Sequence, residues 1–189
     1  AVVCEKLGSI SNLILKTMDN RELPDGHARI RVLAAGINFP DKLMVEGKYQ
    51  FSPPVPFTPG MEVAGEIIEI SNNPEFQVGC KVICSLRYGG YSQEIIAPIR
   101  SLVLTPKDFS PEQAAGFKIA AQTAFVALVE RAKALKHETI MVTGAAGGEG
   151  SAAIQLGKAL GAHVIAVSSS KEKQNYCRNL GAEHSISYH

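Results

Sequence analysis

The sequence predicts two domains of different class: an all-β domain, followed by the beginning of a parallel α/β domain. Up to about Thr105, short β-branched runs such as HARIRVLAAGI and EVAGEIIEI alternate with turns rich in Pro, Gly and Asn, which is typical of a barrel or sandwich. From Ser110 the sequence becomes Ala-rich and helical, and a strand, a glycine loop, a helix and a second strand follow. We therefore expect residues 1–108 in the first domain and residues 109–189 in the second.

The second domain is predicted to begin with a well-capped helix. Ser110 can accept hydrogen bonds from the first amide groups, Pro111 fits the first helical position, and Glu112 favours the positive end of the helix dipole. The run AAGFKIAAQTAFVALVERAKALK is expected to continue as helix to a basic end. After the glycine loop, a further helix near EKQNYCRNLGA and a short strand, HSISY, are expected.

The parallel sheet is expected to be truncated. A complete doubly wound domain has about six strands in two halves, whereas the sequence from Thr139 onward has room for three. The first strand, central in the usual order, would then be unpaired on one side, and such an edge is a template for another chain. We expect either self-association as a homo-oligomer through this edge or loose order beyond about Thr139.

Composition argues against several classes of function. The 19 basic and 18 acidic side chains leave a formal charge of +1, which gives no case for a nucleic acid partner. No apolar run is long enough to cross a membrane, and from the sequence AVVCEKLG at Ala1 we expect no signal peptide. Cys80 and Cys84 would lie on one face of a strand, too far apart for a disulfide and poorly placed for a metal. These observations favour a cytoplasmic protein with reduced cysteines.

The loop in MVTGAAGGEGSAAIQLGKALGA carries the clearest functional signal. Ala145, Gly147 and Gly150 take the three positions that make the tight turn, admit a pyrophosphate and pack helix on strand, and Gly148 adds freedom. The helix that follows would aim its amide groups at the phosphates. An ordinary βα turn is the alternative. Glu149 places a carboxylate in the first turn, and we expect it to weaken nucleotide binding without abolishing it.

The end of the second strand predicts which dinucleotide binds. An NAD site usually places an acidic residue there, whereas this chain has Ser168 at that position, followed by Ser169 and Ser170, with Lys173 close by. Hydroxyl groups and a lysine suit a 2′-phosphate. We therefore expect NADP(H), the alternative being a plain polar turn and helix cap.

Two long stretches resemble one known family. GAAGGEGSAAIQLGKALGA is similar to the nucleotide loop, and AAGINFPDKLMVEGKYQFSPPVPFTPGMEVAGEI to the N-terminal signature, of the zinc-independent quinone oxidoreductases (zeta-crystallin-like) of the medium-chain dehydrogenase/reductase superfamily. The resemblance covers essentially the whole chain. It implies a GroES-like β-barrel domain followed by the first half of a Rossmann domain, with the active site in the cleft between them.

The resemblance also implies chemistry without a metal. Asn38 and Met61 stand where the zinc-dependent relatives carry a Cys and a His, and the four-cysteine zinc lobe of those relatives is missing. Neither Asn nor Met is a plausible ligand in an ordinary zinc site. Alcohol oxidation without a Lewis acid is then disfavoured, and the expected hydride acceptor is a quinone or an α,β-unsaturated carbonyl, whose developing charge hydrogen-bond donors can stabilise.

The resemblance assigns the site residue by residue. Asn38 and Tyr49 are the expected catalytic residues, and the expected cofactor-binding residues are Asn38, Thr123, Ala146, Gly147, Gly148, Glu149, Gly150, Ser168, Ser169, Lys173 and Tyr188. Four of these have structural alternatives: Asn38 as a turn residue, Tyr49 as a cap of the barrel, Thr123 as a helix-face residue and Tyr188 as a strand end. Glu62 is expected to be a buried hydrogen-bond anchor.

The departures from the family pattern leave the reaction open. Leu43 replaces a tyrosine that the best-known members carry, and Gln122 replaces a small Gly before Thr123. Three functions therefore stand at this level. They are an NADPH-dependent reductase of quinones or activated alkenes, an enoyl-thioester reductase of the same superfamily, and a non-catalytic fragment that binds nucleotide or a partner protein.

Overall fold

A computed structural model describes residues 1–19 and 21–188. The chain divides into two compact units, Ala1–Lys118 and Ile119–His189. The first is built mainly of antiparallel strands and the second of parallel strands alternating with helices. The predicted order of a β domain followed by an α/β domain is confirmed.

The first unit contains a two-stranded and a five-stranded antiparallel sheet. The strands are β1 (Val2–Cys4), β2 (Leu13–Leu15), β3 (His27–Gly36), β4 (Glu62–Ile70), β5 (Lys81–Ser85), β6 (Glu94–Pro98) and β7 (Leu102–Leu104). β1 pairs with β2, and the larger sheet has the order β6-β3-β4-β5-β7. Short 3₁₀ turns occupy Ile10–Asn12 and Ile99–Ser101.

The larger sheet is covered on both faces, and β5 shows why. Val82 and Cys84 point into the main core with Ile30 and Ile67, whereas Ile83 points to the opposite face. Three consecutive residues of β5 are therefore buried, where a sheet with one wet face would show alternation. Cys80 immediately precedes the strand and packs against the same core, and all four cysteines are free thiols.

A short helix closes the first unit near its N-terminal strand pair. Helix α1 (Phe39–Val45) follows β3 after two residues and has a Pro in its first turn. Met44 and Val45 are buried against Cys4 and Phe57. This second cluster fixes α1 on the unit, because its two large apolar side chains lie on adjacent positions of the last helical turn.

The cap at Ser110 is confirmed. Its hydroxyl accepts from the Gln113 amide at 3.2 Å, the Gln113 side chain accepts from the Ser110 amide at 2.9 Å, and Pro111 opens helix α2 (Pro111–Ala115). Ala114 and Ala115 are buried against Ala64 and Ile83 of the sheet. This packing holds α2 to the first unit, so the unit extends to Lys118 and not only to residue 108.

The prediction of a single long helix after Ser110 is wrong. The segment divides into α2, α3 (Lys118–Phe125) and a π-helical turn at Val126–Arg131. Gly116 ends the first piece, and the Lys118 ammonium then donates to the Ser101 carbonyl at 3.0 Å. Tertiary packing of α2 on the sheet outweighs the helix propensity of the Ala-rich run.

The second unit is a three-stranded parallel sheet with helices between the strands. Its strands are β8 (Thr139–Thr143), β9 (His163–Ser168) and β10 (His184–Ser187), in the order β10-β9-β8, and its later helices are α4 (Gly148–Ala159) and α5 (Lys171–Leu180). Ile154 and Cys177 pack from the two helices onto Val164 and Ala166 of the central strand. Along the part of the chain that is described, no helix is long and apolar enough to span a membrane.

Edge strand β8 is paired on one side only. It pairs in parallel with β9, and no described strand lies on its other side. Its residue Met141 is 63% exposed. The three strands therefore have the order expected of the first half of a doubly wound sheet, with the first strand left at an edge.

Candidate functional site

Asn38 stands at the junction between β3 and α1. It is half-buried and in an extended conformation, as an N-cap residue requires. Its backbone amide donates to Asp41 Oδ2 at 2.8 Å, and its side-chain Nδ2 donates to Glu62 Oε2 over a long 3.5 Å. The backbone and the side chain of Asn38 are thus each hydrogen-bonded to a carboxylate of the first unit.

The sheet register places Glu62 beside Asn38. Gly36 of β3 pairs with Glu62 of β4, and the chain reaches Asn38 two residues later. A side chain at Gly36 would meet the Ala115 carbonyl and, at 3.2 Å, the Glu62 carboxylate. Glu62 itself is 1% exposed. This burial agrees with a hydrogen-bond anchor.

Asp41 is a buried carboxylate that collects hydrogen-bond donors from three parts of the chain. It is 3% exposed and accepts from the amide of Asn38, from the Gly60 amide at 3.2 Å and from the Tyr91 hydroxyl at 2.9 Å. Burial raises the pKa of Asp41, and the hydrogen bonds from Asn38, Tyr91, Gly60 and Met61 act in the opposite direction. Acceptor and donors are matched, as a buried charge requires.

The loop at Pro59 and Gly60 packs closely against the segment at Gly90 and Tyr91. Gly60 has φ +102°, and an added Cβ would lie 2.6 Å from the Tyr91 ring and 2.7 Å from its amide nitrogen. Backbone bonds join Gly90 to Gly60 and Tyr91 to Pro59, each at 2.9 Å. Burial, followed by the charge of Asp41 and the hydrogen bond to it, raises the pKa of Tyr91. Tyr91 is therefore held as a neutral hydroxyl donor.

Tyr49 and Met61 lie around the second cluster of the first unit. Tyr49 and Met61 are partly buried and pack against the group formed by Cys4, Met44, Val45 and Phe57. The Tyr49 amide donates to the Leu43 carbonyl at 3.2 Å. Tyr49 thus has a packing role, and its catalytic role stays a prediction.

In the second unit, the glycine loop has the geometry that the sequence predicts. Gly144 makes the turn out of β8 with φ +60°, and the buried Ala145 follows it. Gly150 provides the close packing: a Cβ there would lie 2.7 Å from both Ala145 Cα and the Gly144 carbonyl oxygen. The first position of the motif tolerates Ala because the positive φ falls on Gly144.

The beginning of α4 offers amide groups to a ligand. Gly147 is the N-cap, and Ser151 donates the first bond of the helix ladder to the Gly147 carbonyl at 2.8 Å. The amides of Gly148, Glu149 and Gly150 precede that bond and have no acceptor within the helix. Gly148 and Glu149 are exposed and Ala146 is partly buried. A Cβ added at Gly148 would meet only Ala120, at 4.0 Å. These features fit a pyrophosphate cradle.

Hydroxyl groups and a lysine follow one another from the end of β9 into the first turn of α5, but one of the hydroxyl groups is buried. Ser168 is 2% exposed, so its hydroxyl lies inside the unit, and Ser169 is the first exposed hydroxyl after the strand. Ser170 caps α5 by accepting from the Lys173 amide at 3.2 Å. Lys173 is exposed in the first turn of α5.

Tyr188, one of the predicted cofactor-binding residues, contacts the glycine loop. Its hydroxyl accepts from the Gly144 amide at 2.6 Å while the residue stays 54% exposed. Thr123 is exposed on α3 and donates to the Ile119 carbonyl at 2.8 Å. The structure therefore brings Tyr188 to the predicted nucleotide loop, whereas Thr123 is satisfied within its own helix.

The described residues contain no group of three or more His, Cys, Asp or Glu side chains suited to hold a metal ion. Asp41 and Tyr91 are the functional candidates that the sequence interpretation missed. The spacing of Asn38 and Asp41 is that of a capping box, Asn-x-x-Asp, which could have indicated their contact. No comparable signal links Tyr91 to either residue, because fifty positions separate it from Asp41.

Comparisons with known proteins agree with this architecture. Residues 24–107 match the family "alcohol dehydrogenase GroES-like domain", and residues 148–189 match the family "zinc-binding dehydrogenase". A quinone oxidoreductase-like protein 2 homolog of Nematostella vectensis is 34% identical over the whole chain and 52% of its own length. The chain belongs to the medium-chain dehydrogenase/reductase superfamily, in its quinone oxidoreductase branch.

Solved structures of this superfamily share the fold. The quinone oxidoreductase of Thermus thermophilus, also solved in complex with NADPH, is 36% identical with a TM-score of 0.89, over the whole chain and 59% of the other. The enoyl reductase CurK is 29% identical with a TM-score of 0.90, over 98% of the chain and 59% of the other. The chain spans about half the length of the curated relatives it matches.

Proposed function

We propose that this chain provides the GroES-like domain and the first nucleotide-binding half of an NADPH-dependent oxidoreductase. The proposed reaction is hydride transfer to a quinone or another activated alkene, without zinc. The observation that carries the proposal is the exposed start of α4, after the loop in which Gly150 packs closely, together with the exposed Ser169 after β9 and Lys173 in the first turn of α5. The NADPH complex of the Thermus thermophilus relative supports it.

The nucleotide would be held by the second unit. The amides of Gly148, Glu149 and Gly150, next to Ala146 and Gly147, would face its pyrophosphate, since they lie at the positive end of α4. Ser169 and Lys173 would contact a 2′-phosphate, because both are exposed and no carboxylate follows β9 directly. Ser168 would take part through its main chain, as its hydroxyl is buried.

We assign the remaining predicted residues by their environment. Tyr188 would border the adenosine end, where its hydroxyl already touches the loop. Thr123 would contact the nicotinamide from α3. Tyr49 would border the substrate from the second cluster of the first unit. The proposed functional boundary stays at residue 108, with residues 1–108 for the substrate and residues 109–189 for the cofactor, and α2 of the cofactor part packs on the first unit.

Asn38 is the proposed electrophilic residue. Its amide carries two N–H groups, and the bond to Glu62 uses one of them. The other can donate to an acceptor oxygen on which negative charge develops during the reaction. NADPH, when bound, supplies the hydride. Asn38 and Met61 are not zinc ligands of an ordinary site, so we propose that hydrogen bonding takes the place of a Lewis acid.

An enoyl-thioester reductase is the second candidate, favoured by the similarity to the enoyl reductase CurK. A non-catalytic nucleotide-binding fragment is the third, favoured by the one-sided pairing of β8. We further propose a small-molecule substrate, no nucleic acid partner, a cytoplasmic location and a homo-oligomer.

The proposed function is tested by measuring the oxidation of NADPH by protein that has been dialysed against a metal chelator. The protein is assayed with a quinone, an enone and an enoyl thioester, alongside Asn38→Ala and, as a matched control, Asn72→Ala in the exposed turn after β4. We expect turnover with the quinone or enone, lost in Asn38→Ala and kept in Asn72→Ala. Turnover with the thioester alone would favour the second candidate, and NADPH binding without any turnover would favour the third.

A further inference from the structure

Asp41 lies at the centre of the contacts that fix the backbone of Asn38. One carboxylate oxygen, Oδ2, accepts both the Asn38 amide at 2.8 Å and the Tyr91 hydroxyl at 2.9 Å, while Oδ1 accepts the Gly60 amide. The two donors to Oδ2 come from the start of α1 and from the segment before β6. Tyr91 and Asn38 therefore share a single acceptor oxygen atom.

We propose that Asp41 is a positioning residue for Asn38 and that Tyr91 keeps its carboxylate in the ionised, hydrogen-bond-accepting form. The proposal rests on the proposed function only in taking Asn38 as the donor to the substrate oxygen. Asp41 touches neither substrate nor cofactor in this scheme. It acts by holding the N-cap conformation that directs the Asn38 side chain.

The surroundings of Asp41 make this arrangement sensitive to protonation. The groups facing it are the amides of Asn38, Gly60 and Met61 and the hydroxyl of Tyr91, and among these only Tyr91 can titrate. Glu62 is one step further away, through the Asn38 side chain. A protonated Asp41 has one acceptor position fewer for the same set of donors. Protonation would therefore release one of them.

The sign of the effect follows from the directions of the shifts. Burial raises the pKa of Asp41 above its ordinary value, and the Tyr91 hydrogen bond lowers it. Removing that bond leaves the raising cause less opposed, so the pKa of Asp41 rises further in Tyr91→Phe. Activity that depends on ionised Asp41 is present above this pKa and is lost as the pH falls through it, so the acid limb moves to higher pH.

Tyr91→Phe is the main test, because it keeps the ring that packs on Gly60 and removes only the hydroxyl. Tyr88→Phe is the matched control, since Tyr88 makes ring contacts with Phe51 and Phe57 but no side-chain hydrogen bond is found for it within the described residues. Two readouts are followed from pH 8 to pH 4: the Asn38 backbone amide signal by NMR, and kcat with the best acceptor.

We expect the Asn38 amide signal of the wild type to titrate, and its midpoint to rise by about one pH unit in Tyr91→Phe. The acid limb of kcat should rise by the same amount, with the KM for NADPH unchanged, and Tyr88→Phe should match the wild type in both. Asp41→Asn should abolish the titration and lower kcat about 10- to 100-fold, the range for a small misplacement. If Asp41→Asn does not fold, Tyr91→Phe decides alone.

Two results would overturn the proposal. One is an Asn38 amide signal that does not change between pH 8 and pH 4. The other is a midpoint that stays in place in Tyr91→Phe even though kcat falls. The NMR titration needs no turnover, so a protein that reduces no acceptor refutes the proposed function and leaves this test intact.

Discussion

The two units hold their candidate site residues by different means. In the first unit, Asn38 is fixed by buried carboxylates, Asp41 and Glu62, at 3% and 1% exposure. In the second unit, Gly148 and Lys173 are exposed, and the site consists of backbone amides and charged side chains at the surface. The first arrangement is therefore sensitive to side-chain hydrogen bonding. The second is sensitive to the space around the backbone and to net charge.

Gly150→Ala should give the largest loss of stability, because the atoms that the added methyl group meets belong to the backbone and cannot move aside as a side chain could. The new Cβ would lie 2.7 Å from Ala145 Cα and from the Gly144 carbonyl oxygen. Overpacking of this kind costs up to about 3 kcal/mol, and we expect that loss in the unfolding free energy of the second unit. Amide hydrogen exchange at Val164 in the second unit, compared with exchange at Val63 in the first unit, would show whether the loss of stability is confined to the second unit.

Gly148→Ala is the matched control for Gly150→Ala. Its Cβ would meet only Ala120 at 4.0 Å, so it should leave stability unchanged or raise it by about 0.5–1 kcal/mol, the usual gain for Ala over Gly in a helix. Equal losses in the two variants would mean that the fit of Gly150 to Ala145 is not what limits the loop.

Lys173→Ala should change the choice of nucleotide. If the ammonium pairs with the 2′-phosphate, NADPH binding should weaken by about 1.5–3 kcal/mol, the range for a hydrogen bond to a charged group, and NADH binding should hardly change. Lys171→Ala, exposed on the same helix, is the control. Calorimetric titration that finds the same loss for both nucleotides would refute the role of Lys173.

The unpaired side of β8 should either make the second unit associate with a second copy or leave the chain loosely ordered beyond about Thr139. A charge on an edge strand opposes such pairing, so Met141→Lys should weaken self-association by about tenfold. Leu135→Lys is the control, at 65% exposure against 63% for Met141 but outside the strand. Light scattering measures the effect. A monodisperse wild-type monomer with strongly protected amides in Ile140–Val142 would show the prediction wrong.

Glu149→Gln should give the smallest effect and the opposite sign. Removing the carboxylate from the first turn of α4 should strengthen NADPH binding by roughly 1 kcal/mol or less, because like charges at the surface interact weakly in water. Glu172→Gln, in the first turn of α5, should cost similar helix stability without changing affinity. Unchanged affinity in Glu149→Gln would mean that Glu149 already points away from the phosphates.

The sequence predicted the features that depend on neighbouring residues. The turn at the glycine loop, the close packing at Gly150 and the Ser110 cap are local, and the structure has each of them. The prediction of one helix after Ser110 is wrong because burial of Ala115 against the sheet, a contact distant in sequence, divides it. Periodicity and propensity carry no information about such a contact.

The candidate site shows the same limit. Asn38 and Lys173 stand out by their positions in motifs, whereas the contact between Asp41 and Tyr91 joins residues fifty positions apart. The burial of Ser168 was equally hidden, because the sequence places a hydroxyl at the last position of β9 but does not show on which side of the strand it lies. These features depend on the three-dimensional arrangement of the strands.

The exposure of Lys173 and of the first turn of α4 has a consequence for ionic strength. Interactions between exposed charges are screened over about 8 Å at physiological salt and over about 3 Å at 1 M. The proposed preference for NADPH over NADH should therefore decline steadily as salt is added, since the two nucleotides differ only in the 2′-phosphate that Lys173 is proposed to contact. The contacts of Asp41 are buried from solvent, so the placement of Asn38 should be indifferent to the same addition.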